Sequence, residues 1–371
     1  MRPITPRGFR DVLPEEAAER EAVSAAIAAV FSSWGYDPVE TPVVEVYETL
    51  SAAAGDLQGT AFRLFDLDGR LLALRPDVTV PVARLYAARM AHDAGIRRFR
   101  YRAEVFREHE SLRGQNRQFT QLGVELVGAG GPAADAEVVA VLVEALAASG
   151  LADFTVAVGD VAVLIALLDA AGPGAGEAWR ADVLAAAHDR NFVALDALAA
   201  RVGGDVGTAL AEVVRLRGGV EAIERCRAIV EPVVGTREVD DFARTWQLLE
   251  AAGVTDHVMV DFGVIRSFDY YTGLVLEAYA PGLGVALGGG GRYDTLLAAY
   301  DAPAPAAGFA IGLERLSIAL ADQGVVVPVQ PSAAVVGGDA AAAFTEAARR
   351  RAAGERVALG AEVFAGEEVA S

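Results

Sequence analysis

VFREHESLRGQNRQFTQLGVE, residues 105–125, crowds three arginines, three glutamates and three glutamines into one short stretch of a chain whose net charge is −19. Two apolar runs flank a polar centre that contains a glycine. The pattern reads as a hairpin, with Arg107 and Arg117 near the two ends of its loop. Alternate side chains on a strand share a face, so Gln121, Gly123 and Glu125 point one way and Val124 and Leu126 the other. Gly123 leaves room for a ligand to lie against the backbone. An ordinary surface strand with solvated charges fits the same letters. Such a hairpin could grip a phosphate, a carboxylate or another chain.

Composition narrows the choice. The 371 residues, 53% of them apolar, suit two domains or one large domain with an insertion. The first twenty residues carry charges every few positions and no apolar run, which argues against a signal peptide. The longest apolar runs, such as 161–172, are too short to span a bilayer. Cys226 is the single cysteine, so no disulfide framework or cysteine metal cluster is expected, and the expected compartment is the cytoplasm. With 32 basic against 51 acidic residues, the overall field repels polyanions. A local arginine cluster on an acidic body suits a small anionic ligand or a protein partner, not nucleic acid and not a membrane.

Working outward from the hairpin, residues 15–35 read as a helix stopped by Gly35, and 37–48 as an extended piece that Pro42 confines to an edge or bend. FRLFDLDGRLLALRPD looks like a hairpin turning at Asp68-Gly69, followed by a helix with Pro81 in its first turn. A long helix covers 133–150, and 160–250 is mostly amphipathic helix, an insertion-like block. Strands return in DHVMVDFGVIRSFDYYTGLVLEAYAPG and GLGVALGGGGRYDTLL (256–297), and GFAIGLERLSIALADQG reads as strand, then helix. Hairpins mixed with helices imply an α+β fold built on an antiparallel sheet. The expected division is a core over 1–323, with the helical insertion at about 165–250, and a short strand–helix–strand segment over 324–371.

Four further places carry candidate chemistry. Asp77 and Thr79 stand where a strand gives way to a helix. They could cap that helix, or accept hydrogen bonds from a ligand ammonium group. In DFGVIRSFDYYTG (261–273), Arg266 in an apolar setting asks for an anion, such as a carboxylate held bidentately, and Tyr270 and Tyr271 follow it. GGGGRYDTLL (288–297) is no dinucleotide fingerprint and shows only close backbone approach. Arg315 opens the helix after GFAIG. The four histidines are scattered without metal-ligand spacing, and no nucleophile sits in a recognisable turn, so neither a metal nor a cofactor is expected.

Together these stretches resemble the class II aminoacyl-tRNA synthetases, and among them the histidyl-tRNA synthetases. FRE with RQFTQLGVE is similar to that family's second signature motif, DYYTG with its upstream arginine to its histidine-specific motif, and GGGGRYDTLL with GFAIGLERL to its third. WGYDPVETPVVE resembles the first, dimer-forming motif. The matches run in the family's order through nearly all of residues 7–320. A synthetase of this type goes on to a full α/β anticodon-binding domain, for which 324–371 is a remnant. GFRDVLPEEA and LRPDVTVPVAR most resemble a second branch, the regulatory subunits of ATP phosphoribosyltransferase, and Gln115 stands where synthetases usually carry an arginine.

The resemblance implies a class II synthetase-like antiparallel sheet flanked by helices, and a histidine pocket. In it Glu125 would take the imidazole N–H and the Tyr271 hydroxyl would meet the other ring nitrogen, with Tyr270 beside it. Asp77, Thr79 and Gln121 would hold the α-ammonium, and Arg266 with Gln121 the carboxylate. Arg107, Arg117 and Arg315 would be a vestigial ATP or phosphate site. The implied role is non-catalytic: a homodimeric, histidine-sensing subunit assembling with a separate short ATP phosphoribosyltransferase catalytic subunit in the first step of histidine biosynthesis. A histidine-activating ligase, or a free-standing binding module, is the alternative.

Overall fold

Apolar residues spaced three and four apart wind 14–33 into α1 (Pro14–Ser33), with its proline in the first turn, where a missing N–H is no loss. The chain then forms β1 (Asp37–Pro38), β2 (Val44–Val46), α2 (Tyr47–Ala54), β3 (Arg63–Phe65), β4 (Leu71–Leu74) and α3 (Thr79–Arg89). The long strands β5 (Arg97–Phe106) and β6 (Gln118–Val127) and the helix α4 (Pro132–Ala148) follow. TVAVGD, a short apolar-rich run between two helices, is β7 (Thr155–Asp160). The helical block is α5 (Val161–Ala170), α6 (Glu177–His188), α7 (Phe192–Val202), α8 (Gly204–Val213), a two-residue β8 (Arg217–Gly218), α9 (Val220–Val234) and α10 (Arg237–Ala252). The sheet resumes with β9 (Val258–Asp261), β10 (Leu274–Tyr279), β11 (Gly288–Arg292) and β12 (Ala306–Gly312), and α11 (Leu313–Asp322) closes this part. Last come β13 (Ala334–Val336), α12 (Ala340–Ala352), β14 (Val357–Leu359) and α13 (Ala361–Phe364). This computed structural model describes residues 4–54, 60–93, 95–108, 116–172, 175–265 and 271–364.

Two compact units result, residues 1–13 with 23–326, and residues 14–22 with 327–371. In the second, β13 and β14 pair in parallel and α12 connects them, its first turn capped by Asp339 accepting from the Ala342 N–H at 3.1 Å. In the first, a nine-stranded sheet runs β1-β5-β6-β12-β11-β10-β7-β9-β8 among the described residues. Every neighbouring pair from β5 through to β7 is antiparallel, as the hairpin pattern predicts. β2, β4 and β3 form a separate small sheet.

The glycine run 288–291, within the expected strands, lies in the middle of the large sheet. β-propensity is poor there, but what decides is room, because a Cβ at Gly288 or Gly290 would overlap the backbone of β12. One face of the sheet is covered by α4, which lies against β6 and β12. Arg98 fixes it with two hydrogen bonds of 2.7 Å to Glu137, and buried Arg292 grips Asp135 at 2.7 and 2.9 Å. The opposite face holds an apolar cluster built from α3, β5 and the 293–297 segment, including Val78, Val80, Phe99, Tyr101, Tyr293 and Leu296. The site lies on this face.

Candidate ligand-binding site

Pairing across the sheet assembles the site. Glu125 on β6 is opposite Gly308 on β12, and Gly308 is opposite Gly291 on β11. Directly opposed residues project on the same face. A Cβ at Gly308 would overlap the Glu125 carboxylate, and one at Gly291 would stand 2.8 Å from the Tyr271 ring. The two glycines therefore give their space to Glu125 and Tyr271, which lie over adjoining backbone positions. Residues predicted to read two sides of one ring, 146 positions apart in sequence, are brought together.

Glu125 is 1% exposed and takes three hydroxyl donors. Thr79 Oγ1 donates at 2.8 Å and Tyr101 Oη at 3.2 Å to Oε1, while Tyr293 Oη donates to Oε2. An ionised carboxylate has about four acceptor positions, so one remains for a ligand donor. Burial raises its pKa to about 7, against the pull of the three hydroxyls.

The helix-start pair divides its labour. Asp77 Oδ1 accepts from the Val80 N–H at 3.2 Å, the capping role, and its carboxyl is also pushed up by burial, with Arg107 pulling it down. Thr79 bonds Glu125 and so supports the carboxylate directly. Gln121, two rows along the same face as Glu125, is 8% exposed and its Oε1 is buried with no hydrogen-bond partner among the described residues. A buried amide oxygen in that state costs about 1–3 kcal/mol, which a ligand N–H would recover.

Gly123 behaves otherwise than the sequence suggests. The space above it is taken by the Tyr101 hydroxyl and the Phe309 carbonyl, so it seats the tyrosine that supports Glu125 and not a ligand. Arg266 and Tyr270 lie outside the described residues, as does Gln115.

The three arginines line the same face further towards the hairpin loop. The Arg107 N–H bonds the Arg117 carbonyl at 2.8 Å, extending the β5–β6 ladder. Arg107 Nε donates to the Pro76 carbonyl at 2.9 Å and its guanidinium lies 5.2 Å from the Phe119 ring centre. Arg117 stacks 4.2 Å over Phe62. Arg315 is exposed and donates to the Ala286 carbonyl at 2.7 Å, its stem 3.8 Å from where a Gly312 Cβ would stand. Gly312 is opposite Gln121. From deep to shallow, the face thus presents Glu125 with Tyr271, then Gln121 with Arg315, then Arg107 with Arg117.

Tyr101 and Tyr293 are the site residues that sequence reasoning misses. The signal for Tyr101 was a tyrosine on the partner strand, opposite Gly123. Tyr293 follows the glycine run and gave no periodic signal. No group of three or more His, Cys, Asp or Glu able to hold a metal occurs among the described residues.

Comparisons with known proteins show the family. The family model described as histidyl-tRNA synthetase matches residues 8–316. The ATP phosphoribosyltransferase regulatory subunit of Moorella thermoacetica is 40% identical over 373 residues, covering 99% of this chain and 94% of that protein. The protein of that name from Bacillus subtilis is 37% identical over 85% of this chain and 81% of its own length. A solved structure described as an ATP phosphoribosyltransferase regulatory subunit/histidyl-tRNA synthetase from Bacillus halodurans superposes with a TM-score of 0.86 at 33% identity, covering 96% of this chain and 92% of that one. Histidyl-tRNA synthetase from Nostoc sp. PCC 7120, at 23% identity and a TM-score of 0.80, shares the fold. With a match over most of its length to that family model and to relatives of one name, the chain belongs to the histidyl-tRNA synthetase family, in the group of the ATP phosphoribosyltransferase regulatory subunits.

Proposed function

We propose that this chain is the non-catalytic regulatory subunit of ATP phosphoribosyltransferase, which binds L-histidine at the Glu125–Tyr271 site and assembles with a separate short catalytic chain. The observation that carries the histidine reading is the Gly308–Gly291 row, which sets a buried carboxylate and a tyrosine side by side over bare backbone. Neutral imidazole offers a donor and an acceptor on opposite ring nitrogens. Glu125 has one acceptor position left for the donor, and the Tyr271 hydroxyl serves the other nitrogen. Asp77 and the unpartnered Gln121 oxygen hold the α-ammonium, and Arg266 the carboxylate. The relatives' shared name supports the assembly.

Histidine that binds one quaternary state better than another shifts the complex towards it and slows the committed step. A coupling of about 1–3 kcal/mol suffices. A homodimer core fits the small β2-β4-β3 sheet, where Val43, Val44 and Phe65 are exposed at 41%, 38% and 74%. No helix among the described residues is long and apolar enough to cross a membrane.

The test is reconstitution with a short catalytic chain. Phosphoribosyl transfer should need both chains and be inhibited by histidine, and inhibition should be lost in a complex carrying Glu125→Gln. Histidine inhibition unchanged by that substitution would overturn the pocket. The ligase reading rests on the arginines at 107 and 315. It is separated by histidine-dependent ATP–pyrophosphate exchange, which the purified chain should lack.

A further inference from the structure

Between β9 and β10 the chain leaves the sheet at Asp261 and re-enters it at Leu274, passing Tyr271 at the site. Residues 261–265 are held from the helical block. The buried Asp261 carboxylate accepts from Arg190 Nη2 at 3.1 Å and faces Arg217 Nε at 3.0 Å. Its other oxygen accepts from the Gly263 N–H at 2.9 Å. The Phe262 N–H donates to the Leu216 carbonyl at 3.1 Å, and its ring lies 5.3 Å from that of Phe242 on α10. His188 Nδ1 is 2.6 Å from the Ile265 carbonyl. Beneath them, Val264 packs in an apolar cluster that includes Val161, Val275 and Tyr271.

Arg190 has φ 52, in the left-handed region. The α6–α7 turn by itself favours glycine or asparagine there. What an arginine adds is the guanidinium on Asp261. Two groups of one short turn, His188 and Arg190, thus reach the two ends of the segment 261–265, whose Val264 belongs to the apolar cluster against which Tyr271 packs.

We propose that Arg190 and His188 are positioning residues for the histidine site: the α6–α7 turn fixes where residues 261–265 run, Val264 sets the seat of Tyr271, and the helical block thereby tunes ligand affinity. The proposal rests on the histidine reading of that site. It also gives the block a way to report on the ligand, since a coupling between two places acts equally in both directions.

Calorimetry with L-histidine on the full chain tests it. Arg190→Gly removes the guanidinium and eases the backbone, so the ligand-free melting temperature should change little while affinity falls about tenfold. Arg190→Lys should recover part of the loss. His188→Ala, at the surface, should weaken binding by less than Arg190→Gly, and His188→Asn should restore it. In a Tyr271→Phe background the cost of Arg190→Gly should shrink, because both act on one contact. Wild-type affinity in both Arg190→Gly and His188→Ala, or costs that simply add to that of Tyr271→Phe, would overturn the proposal while leaving the histidine site standing. A wild-type chain that does not bind histidine would overturn both.

Discussion

Glu125 is buried and Asp160 partly buried, and desolvation raises each to a pKa of about 7, for Asp160 against the pull of Arg292. A raised carboxyl favours the folded state below its unfolded pKa, and that advantage is lost as pH climbs to the folded value. The window here is about pH 4 to 7, and for Asp160 the shift corresponds to roughly 4 kcal/mol. Asp160→Asn keeps an acceptor for the Ala162 N–H, which Asp160 now takes at 2.8 Å. Its stability relative to wild type should therefore rise by a few kcal/mol between pH 4.5 and 8, read from denaturant unfolding; a difference constant with pH would refute the assignment. The same logic sets the ligand's pH dependence. Protonated Glu125 has three hydroxyl donors and its own proton to place, leaving nothing for an imidazole N–H, and the ligand must also stay neutral. Histidine affinity should fall as pH drops from 8 to 6; a flat or opposite trend contradicts the model of recognition. Arg107→Ala should change histidine affinity by no more than about 1 kcal/mol, measured by titration, since its guanidinium bonds the Pro76 carbonyl and acts on Asp77 only through charge. Glu125 and Gln121 were legible because strand alternation is a local rule. The hydroxyls of Tyr101 and Tyr293 were not, since they meet Glu125 across separations of 24 and 168 residues that no local pattern encodes.

Strand pairing explains why the site exists where it does. Gly308 is flanked by Glu125 and Gly291, and adding a single methyl there would strike the Glu125 carboxylate and the Val124 carbonyl. Gly308→Ala should cost about 1–3 kcal/mol or more in thermal or denaturant unfolding and abolish histidine binding; a stable variant that binds normally would show that the glycine row is incidental. The hairpin β5–β6, the helix behind Pro81 and the helical block all follow from periodicity and turn chemistry. β7 did not, because six apolar-rich residues between two helices look like either state. The glycine run falls within the expected strands despite its poor β-propensity, and the crowding of β12 gives the reason for its glycines.

Taken whole, the molecule pairs an acidic surface with a site whose charges are buried or mutually engaged. The net charge of −19 repels a polyanion such as tRNA. That balance suits a protein that senses a small zwitterion and passes the signal to another chain. The strand–helix–strand letters of 334–359 form a parallel strand pair with its connecting helix, within the unit made of residues 14–22 and 327–371. Recognition of one amino acid by the framed pocket is the claim on which the regulatory role depends. It is tested most directly by calorimetry of the purified chain with L-histidine, wild type beside Glu125→Gln, a substitution that keeps one acceptor oxygen for the Thr79 and Tyr101 hydroxyls and turns the other oxygen into a donor. Saturable binding of one histidine per chain, weakened at least about tenfold in the variant, is the result expected. No heat of binding in the wild type, or the same affinity in both proteins, would contradict it.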